Sequence, residues 1–144
     1  MKAGVDYIGV TCVFFCHDGK GNVLLHKRSQ NCRDERGMWD CGGGQLEHGE
    51  TFEEGVRREI REEYCVEPQE LKFVEVRNIL RKNGSENTHW VALVFAAEVD
   101  RSKVKIGDPE SIDEIGWFSP DNLPQPQHSM LLRHIEAAGP YLVG

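Results

Sequence analysis

The sequence predicts an α/β protein, a three-layer α/β/α sandwich around a central mixed β-sheet, and three observations point that way. Residues 6–17 and 88–99 are apolar on both alternating faces, the pattern of strands covered from both sides. Two amphipathic helical stretches stand apart from them, one in mid-chain and one near the end. The other strand-like segments are short and bounded by turn residues, as a layered mixed fold requires. With 144 residues, 39% hydrophobic and 28% charged, one domain over 1–144 is expected, large enough to bury a core.

Residues 6–17 (DYIGVTCVFFCH) carry the β-branched and aromatic side chains of a central strand. Asp18-Gly19-Lys20-Gly21-Asn22 is a hairpin-type turn, and residues 23–27 return as a second strand. Residues 28–36 are polar and irregular, a surface loop. Residues 37–41 form a short strand running into Gly42, Gly43 and Gly44. That glycine run reads as a loop, either a tight corner or a place where backbone comes close to a ligand.

Thr51 and Glu54 have capping-box spacing, which starts a helix over Phe52 to Tyr64. Residues 71–82 read as a strand; Asn83-Gly84 signals a hairpin, with Ser85-Glu86-Asn87 lengthening its loop. Residues 88–99 form a second central strand, Trp90, Ala92 and Val94 on one face and Val91, Leu93 and Phe95 on the other. Residues 101–113 form a polar stretch with a loop at Gly107-Asp108-Pro109, and residues 114–118 a short strand. Pro120 and Pro124 punctuate a turn, and residues 128–138 make a terminal amphipathic helix stopped by Gly139-Pro140.

A net charge of −7 argues against broad electrostatic binding to nucleic acid or anionic membrane. No apolar run is long enough to span a bilayer, and the first residues lead into no signal-peptide core. Five cysteines (Cys12, Cys16, Cys32, Cys41, Cys65) form no CxxC pair and read as free thiols, which points to a reducing, cytoplasmic location. Zinc on Cys32, Cys41 and a histidine matches no structural spacing.

The chemistry concentrates on the first helix. Glu59, Glu62 and Glu63 stand at i, i+3 and i+4, so their carboxylates share a face beside the apolar stripe of Phe52, Val56 and Ile60. Like charges at this spacing cost a few tenths of a kcal/mol per pair on an isolated helix. A hard divalent cation with oxygen ligands, Mg²⁺ or Mn²⁺, would offset that repulsion, and Arg57, Arg58 and Arg61 contribute too. The competing explanation is a solvated helix laced with i,i+4 ion pairs.

The run from Gly44 to Val66 resembles the Nudix box, GX5EX7REUXEEXGU, where U is a bulky aliphatic residue. Gly44 opens it, Glu50 follows, then Arg58-Glu59-Ile60, Glu62-Glu63 and Val66. Cys65 departs from the pattern, standing where the family has the glycine that ends the helix, and removes no metal ligand. The resemblance implies the Nudix-type sandwich and a Mg²⁺-dependent hydrolase of phosphoric anhydrides, MutT-like. It implies Glu62, Glu63 and the Gly44 carbonyl as metal ligands, Glu59 as ligand or general base, one of the three glutamates often serving as base in the family, and Arg58 as their orienting partner. Glu50 is expected to support the loop. Asp108, Glu110, Asp113 and Glu114 are later-loop candidates for the base.

Substrate choice lies outside the box. Residues 69–87 hold neither proline nor tyrosine, unlike the family's ADP-ribose and diadenosine polyphosphate branches. THWVALVFAAEV and EIGWF are similar to the branch acting on oxidised or unmodified (deoxy)nucleotides. The expected reaction is therefore a nucleoside triphosphate converted to monophosphate and pyrophosphate. Arg28 and Lys27 are the phosphate-contact candidates, and Trp90, Trp117 and His89 the base-contact candidates. Rival readings are a sugar or other non-nucleotide diphosphate, a capped RNA end, and a ligand sensor without catalysis. The sensor is disfavoured because all three box glutamates remain. The resemblance allows a homodimer, which no feature of the sequence itself indicates.

Overall fold

The central strand β1 (Gly9–His17) is paired on both edges, as its two apolar faces predict. The computed structural model describes residues 1–142, apart from the side chain of Asn83. On one edge β1 runs parallel to β6 (Glu86–Glu98) along its full length. On the other edge it meets β4 (Gly42–Gln45) antiparallel, Thr11 to Phe14 opposite Gln45 to Gly42. β2 (Val23–Arg28) registers with β1 at His17↔Val23, then diverges to take β3 (Trp39–Asp40) and β7 (Ile112–Phe118) as partners. β5 (Glu70–Asn83) closes the far edge against β6, giving a mixed seven-stranded sheet. A wedge therefore opens between the β1–β4 half and the β2–β3–β7 half.

Strand parity builds the two outer layers. Cys12, Phe14 and Cys16 of β1 point with Leu93 and Phe95 toward α1 (Phe52–Tyr64), which buries Val56, Ile60 and Tyr64 against them. Val13 and Phe15 point the other way with Ala92 and Val94, under α2 (Leu131–Ala138) and its Leu131, Ile135 and Ala138. Each large side chain fully buried in this way contributes about 1.5–3 kcal/mol. The three-layer expectation is correct.

Several boundaries differ from the sequence reading. The glycine run is a strand, β4, and not a loop, because its backbone hydrogen-bonds to β1 while its missing side chains admit neighbours. β1 begins at Gly9 because residues 2–7 are held in a turn, with the Gly4 N–H donating to the Tyr7 carbonyl at 2.7 Å. The β5–β6 connection is a two-residue turn at Gly84-Ser85, with Asn83 opposite Glu86 and Gly84 at φ +69°. Ser85-Glu86-Asn87 do not lengthen it, since Glu86 and Asn87 already pair in the ladder. β7 starts at Ile112, and α2 only at Leu131, because the His128 N–H is committed to the Trp39 carbonyl at 2.8 Å.

Both ends of α1 follow the sequence. Thr51 accepts from the Glu54 N–H at 3.2 Å, and the Glu54 carboxylate accepts from the Thr51 N–H at 3.1 Å. Cys65 ends the helix in the left-handed region, at φ 58° and ψ 31°. The exit geometry is kept without glycine, at the steric cost a Cβ incurs there. Replacing Cys65 by glycine is expected to stabilise the fold by about 1 kcal/mol, and Thr51→Ala to destabilise it by about 1 kcal/mol. Urea unfolding midpoints at unchanged m-value check both.

One buried polar pair clips α1 to the sheet. His26 Nδ1 lies 2.6 Å from the Tyr64 hydroxyl, both residues in the interior. Burial, with the Arg28 charge next, lowers the His26 pKa from 6.5 to about 4. The unfolded chain takes up this proton near 6.5 and the folded chain resists it until about 4, so stability is full above 6.5 and falls between those values. The loss amounts to about 3 kcal/mol. His26→Asn, which can still bond Tyr64 but does not titrate, is expected to flatten that acid limb in unfolding measured from pH 7 down to 4. An equally steep limb would assign it to other groups.

Candidate active site

Glycine decides how closely α1 approaches the sheet. A Cβ on Gly44 would fall inside the Glu59 carboxyl, and one on Gly42 inside the Phe14 ring. The strip of bare backbone from Gly42 to Gly44 therefore lets the carboxylates of α1 reach the edge of β4. The Gly43 N–H donates to Glu63 Oε2 at 3.3 Å, and the Gly44 carbonyl accepts from the Thr11 hydroxyl at 3.2 Å.

Arg58 organises this edge. Its Nε donates to Glu50 Oε2 at 2.6 Å and its Nη2 to Glu50 Oε1 at 3.0 Å, a two-pronged pairing. Nη1 reaches Glu59 at 2.7 Å and Glu62 at 3.3 Å, and Nη2 also donates to the Gln45 carbonyl at 3.1 Å. The Arg58 hydrogen bonds hold the Glu50 carboxyl down at about 2. The Glu47 N–H also donates to Glu50, so this residue ties the segment before α1 to the helix.

Glu59 and Glu63 are in the opposite condition. Burial raises the pKa of Glu59 against the opposing pull of Arg58. Glu63 is pushed well above the usual carboxylate range, by burial first and by the neighbouring Glu59 charge second. The two acids face each other at the edge of β4. Glu62 lies outside this pair: its side chain is 58% exposed and turned to Arg58. Among the described residues no group of three acids, histidines or cysteines closes around a cation position. The helical spacing thus brings two of the three glutamates together. An all-oxygen set of two mutually repelling, desolvated carboxylates fits a hard divalent cation, with Glu62 one turn from Arg58 on the solvent side.

A single cavity of about 720 Å³ runs from these carboxylates through the wedge to the α2 side of the sheet. Its floor includes His26 and Asp40, whose Cα positions are partners across β2 and β3. Burial raises the Asp40 pKa. Beyond them the sheet surface presents Val13, Ile79 and Trp90, with Arg81 and Thr88 beside them. The rim is stapled by Glu35, which accepts from the Ser129 N–H at 2.7 Å and lies 2.7 Å from His128 Nε2 and 3.2 Å from Arg81.

Trp90 and Arg28 line the cavity, the guanidinium of Arg28 being engaged by Asp34 at 2.9 Å. Trp117 does not line it: Leu24 pairs with it across β2 and β7 and sends it to the α1 side, where Arg101 stacks at 4.9 Å from its ring centroid. The base-contact expectation for Trp117 thus falls on a residue outside this cavity. His89 bonds Asn78 at 3.0 Å outside the cavity, and Lys27 also lies off its walls. Of the later-loop acids, Asp108 reaches the cavity, whereas Glu110, Asp113 and Glu114 do not. His26, Asp40, Glu35, Arg81 and His128 were not anticipated. His26 shares strand parity with Leu24, two residues before it, which could have flagged it as inward-facing; the others meet only through tertiary contacts.

Comparison with known proteins places this geometry. The NUDIX domain family matches residues 7–137. Human 8-oxo-dGDP phosphatase NUDT18 is 31% identical over 98% of this chain and 41% of its own length. The NAD-capped RNA hydrolase NudC of Stutzerimonas stutzeri is 31% identical over 81% of this chain and 39% of its own. The chain thus spans about two fifths of the length of these curated relatives. Among solved structures, the MutT NUDIX hydrolase from Burkholderia pseudomallei superposes with a TM-score of 0.80 at 28% identity, covering 92% of this chain and 98% of that one. The NUDIX domain of Shewanella oneidensis NrtR, complexed with ADP ribose, has a TM-score of 0.73 over 99% and 91% of the two chains, and at 22% identity shares the fold. With nearly its whole length inside the match, and Gly44, Glu50, Arg58, Glu59, Glu62 and Glu63 in the box positions, the chain belongs to the NUDIX domain family.

Proposed function

We propose that this protein is a divalent-metal-dependent hydrolase of a nucleoside di- or triphosphate, cleaving a phosphoric anhydride to release a nucleoside monophosphate. One observation carries the reading: the single cavity joins a desolvated acidic pair, Glu59 and Glu63, to an apolar sheet surface at Trp90 and Ile79. A polyphosphate needs the first end and a nucleoside the second. Its volume, about 720 Å³, suits a nucleotide-sized ligand. The names of the relatives, an 8-oxo-dGDP phosphatase and an NAD-capped RNA hydrolase, support a nucleotide-type substrate.

In this reading Glu59, Glu63 and Glu62, with the Gly44 carbonyl, hold Mg²⁺ or Mn²⁺. The bound ion would neutralise charge on the phosphates and lower the pKa of a water nucleophile. Arg58 fixes the carboxylate of Glu59 and, through Glu50, the segment that carries Gly44. Glu59 serves either as one of these ligands or as the general base that takes the proton of the attacking water, and Asp108 is the alternative base across the cavity. Trp90, Ile79 and Val13 exclude water around the nucleobase, and Arg28 and Arg81 line the cavity, each held by an acid, Asp34 and Glu35.

Two measurements on the same variants test this. Glu59→Gln and Glu63→Gln should each lower turnover of 8-oxo-dGDP, dGTP and unmodified dNTPs by at least about 100-fold, with products resolved chromatographically. Without divalent cation, Glu63→Gln should raise Tm, because it removes a carboxyl whose ionisation is opposed first by burial and then by the Glu59 charge. Added Mg²⁺ should raise Tm of the wild type and leave that variant unmoved. Full activity in both variants, or equal Mg²⁺ stabilisation of Glu63→Gln, would sink the assignment.

A further inference from the structure

The two helices cover their faces unequally. α2 packs on β5 and β6, whereas α1 packs on β1 and β4. On the α1 side, the β5 end of the sheet is consequently bare. Phe73, Val76 and Leu80 all point there, since their cross-strand partners on β6 are Phe95, Leu93 and His89, and the first two belong to the α1-side core. They are 50%, 56% and 70% exposed, an apolar strip along a strand that lies at the edge of the sheet. A groove of about 350 Å³ beside Tyr7, Leu80 and Lys82 continues it. A long edge strand with an apolar face is an open template for pairing, and exposed strips of this kind mark interaction surfaces.

The charge on β5 says what fits. The first half of the strand carries Glu70, Lys72 and Glu75, with Lys72 paired to Glu70 at 3.3 Å, so Glu75 leaves that half net acidic; the second half is basic, at Arg77, Arg81 and Lys82. Parallel pairing with a copy of itself would oppose like charges, and antiparallel pairing opposes unlike ones. We propose that the occupant is a second copy of this chain, joined β5 edge to β5 edge, antiparallel, about a two-fold axis at Asn78.

In that register Val76 stands opposite the partner's Leu80, twice by symmetry, on the bare α1 side. Glu75 stands in register with the partner's Arg81 on the other face, an unlike pair even though Glu75 also bonds Arg77 and Arg81 also bonds Glu35 within each chain. The irregularity between Phe73 and Glu75 makes those two residues successive positions in the ladder. It thereby sets Phe73 opposite the partner's Lys82, at the mouth of the partner's groove. Apolar strips meet, charges alternate and the sheet runs on through the axis, which is the self-complementarity a two-fold interface demands. The substrate cavity opens on the α2 side and toward α1, so pairing leaves its acidic end free.

The experiment is sedimentation equilibrium on the full chain across a roughly hundredfold concentration range, with circular dichroism as a control for folding. Wild type is expected to approach twice its 16.4 kDa mass as concentration rises. Val76→Lys and Leu80→Glu should each weaken association at least about tenfold, by placing an unpaired charge against an apolar side chain. Both positions are exposed, so the monomer should fold normally. The double variant should associate again, because Lys at 76 then faces Glu at 80 across the axis. A wild-type monomer at every concentration overturns the proposal. So does a dimer indifferent to both single changes, or one lost in both and not regained in the double.

Discussion

Everything at the candidate site depends on how closely the first helix approaches the sheet. The β4 backbone pairs with β1 through ordinary antiparallel hydrogen bonds, yet Gly42, Gly43 and Gly44 leave no side chains between it and its neighbours. Glycine is costly in a strand, because it surrenders more chain entropy and packs nothing. Here that cost is offset by function: Glu59 occupies the volume a Cβ on Gly44 would take. The carboxylates can therefore reach a backbone carbonyl and a cavity at once.

Holding acids in that position is unfavourable, and the molecule divides the problem between two kinds of carboxylate. Glu50 is given a two-pronged arginine and a backbone N–H, and becomes a firmly ionised strut. Glu59 has a share of the same guanidinium and remains desolvated, while Glu63 has one backbone N–H and another acid for company. Arg58 thus satisfies Glu50 fully and Glu59 partially, and leaves Glu63 to the Gly43 N–H. A set of anions left under-neutralised by the protein is the electrostatic condition for recruiting a cation, and it is also a local source of instability.

What the sequence made legible was local. The capping box, the helix from Phe52 to Tyr64, the two-faced central strands and the box spacing each depend on residues a few positions apart, and each appears, the strands with shifted ends. The left-handed exit at Cys65 was left open by the sequence, because the glycine is gone, and the structure keeps it. What escaped was set at a distance. Gly42–Gly44 look like a loop because glycine carries no strand signal, and only the need of β1 for a partner makes them one. His26 and Asp40 meet because β2 and β3 are in register, and Glu35 meets His128 across more than ninety residues.

The two tryptophans show what residue type alone leaves open. Trp90 and Trp117 were equal candidates by residue type, and strand parity separates them. Trp90 shares its face with Ala92 and Val94, the α2 side, where the cavity spreads over the sheet. Trp117 pairs with Leu24, whose side chain belongs to the α1-side core, so it is sent to the other layer and capped by Arg101. Parity on each strand was readable; which layer would hold the cavity was not, because that depends on where β1 and β2 part. The same asymmetry leaves Phe73, Val76 and Leu80 uncovered on the α1 side. A single mismatch between one helix and one wide sheet thus yields both a recessed polar wedge and an exposed apolar edge. The former suits a small charged ligand and the latter a second chain.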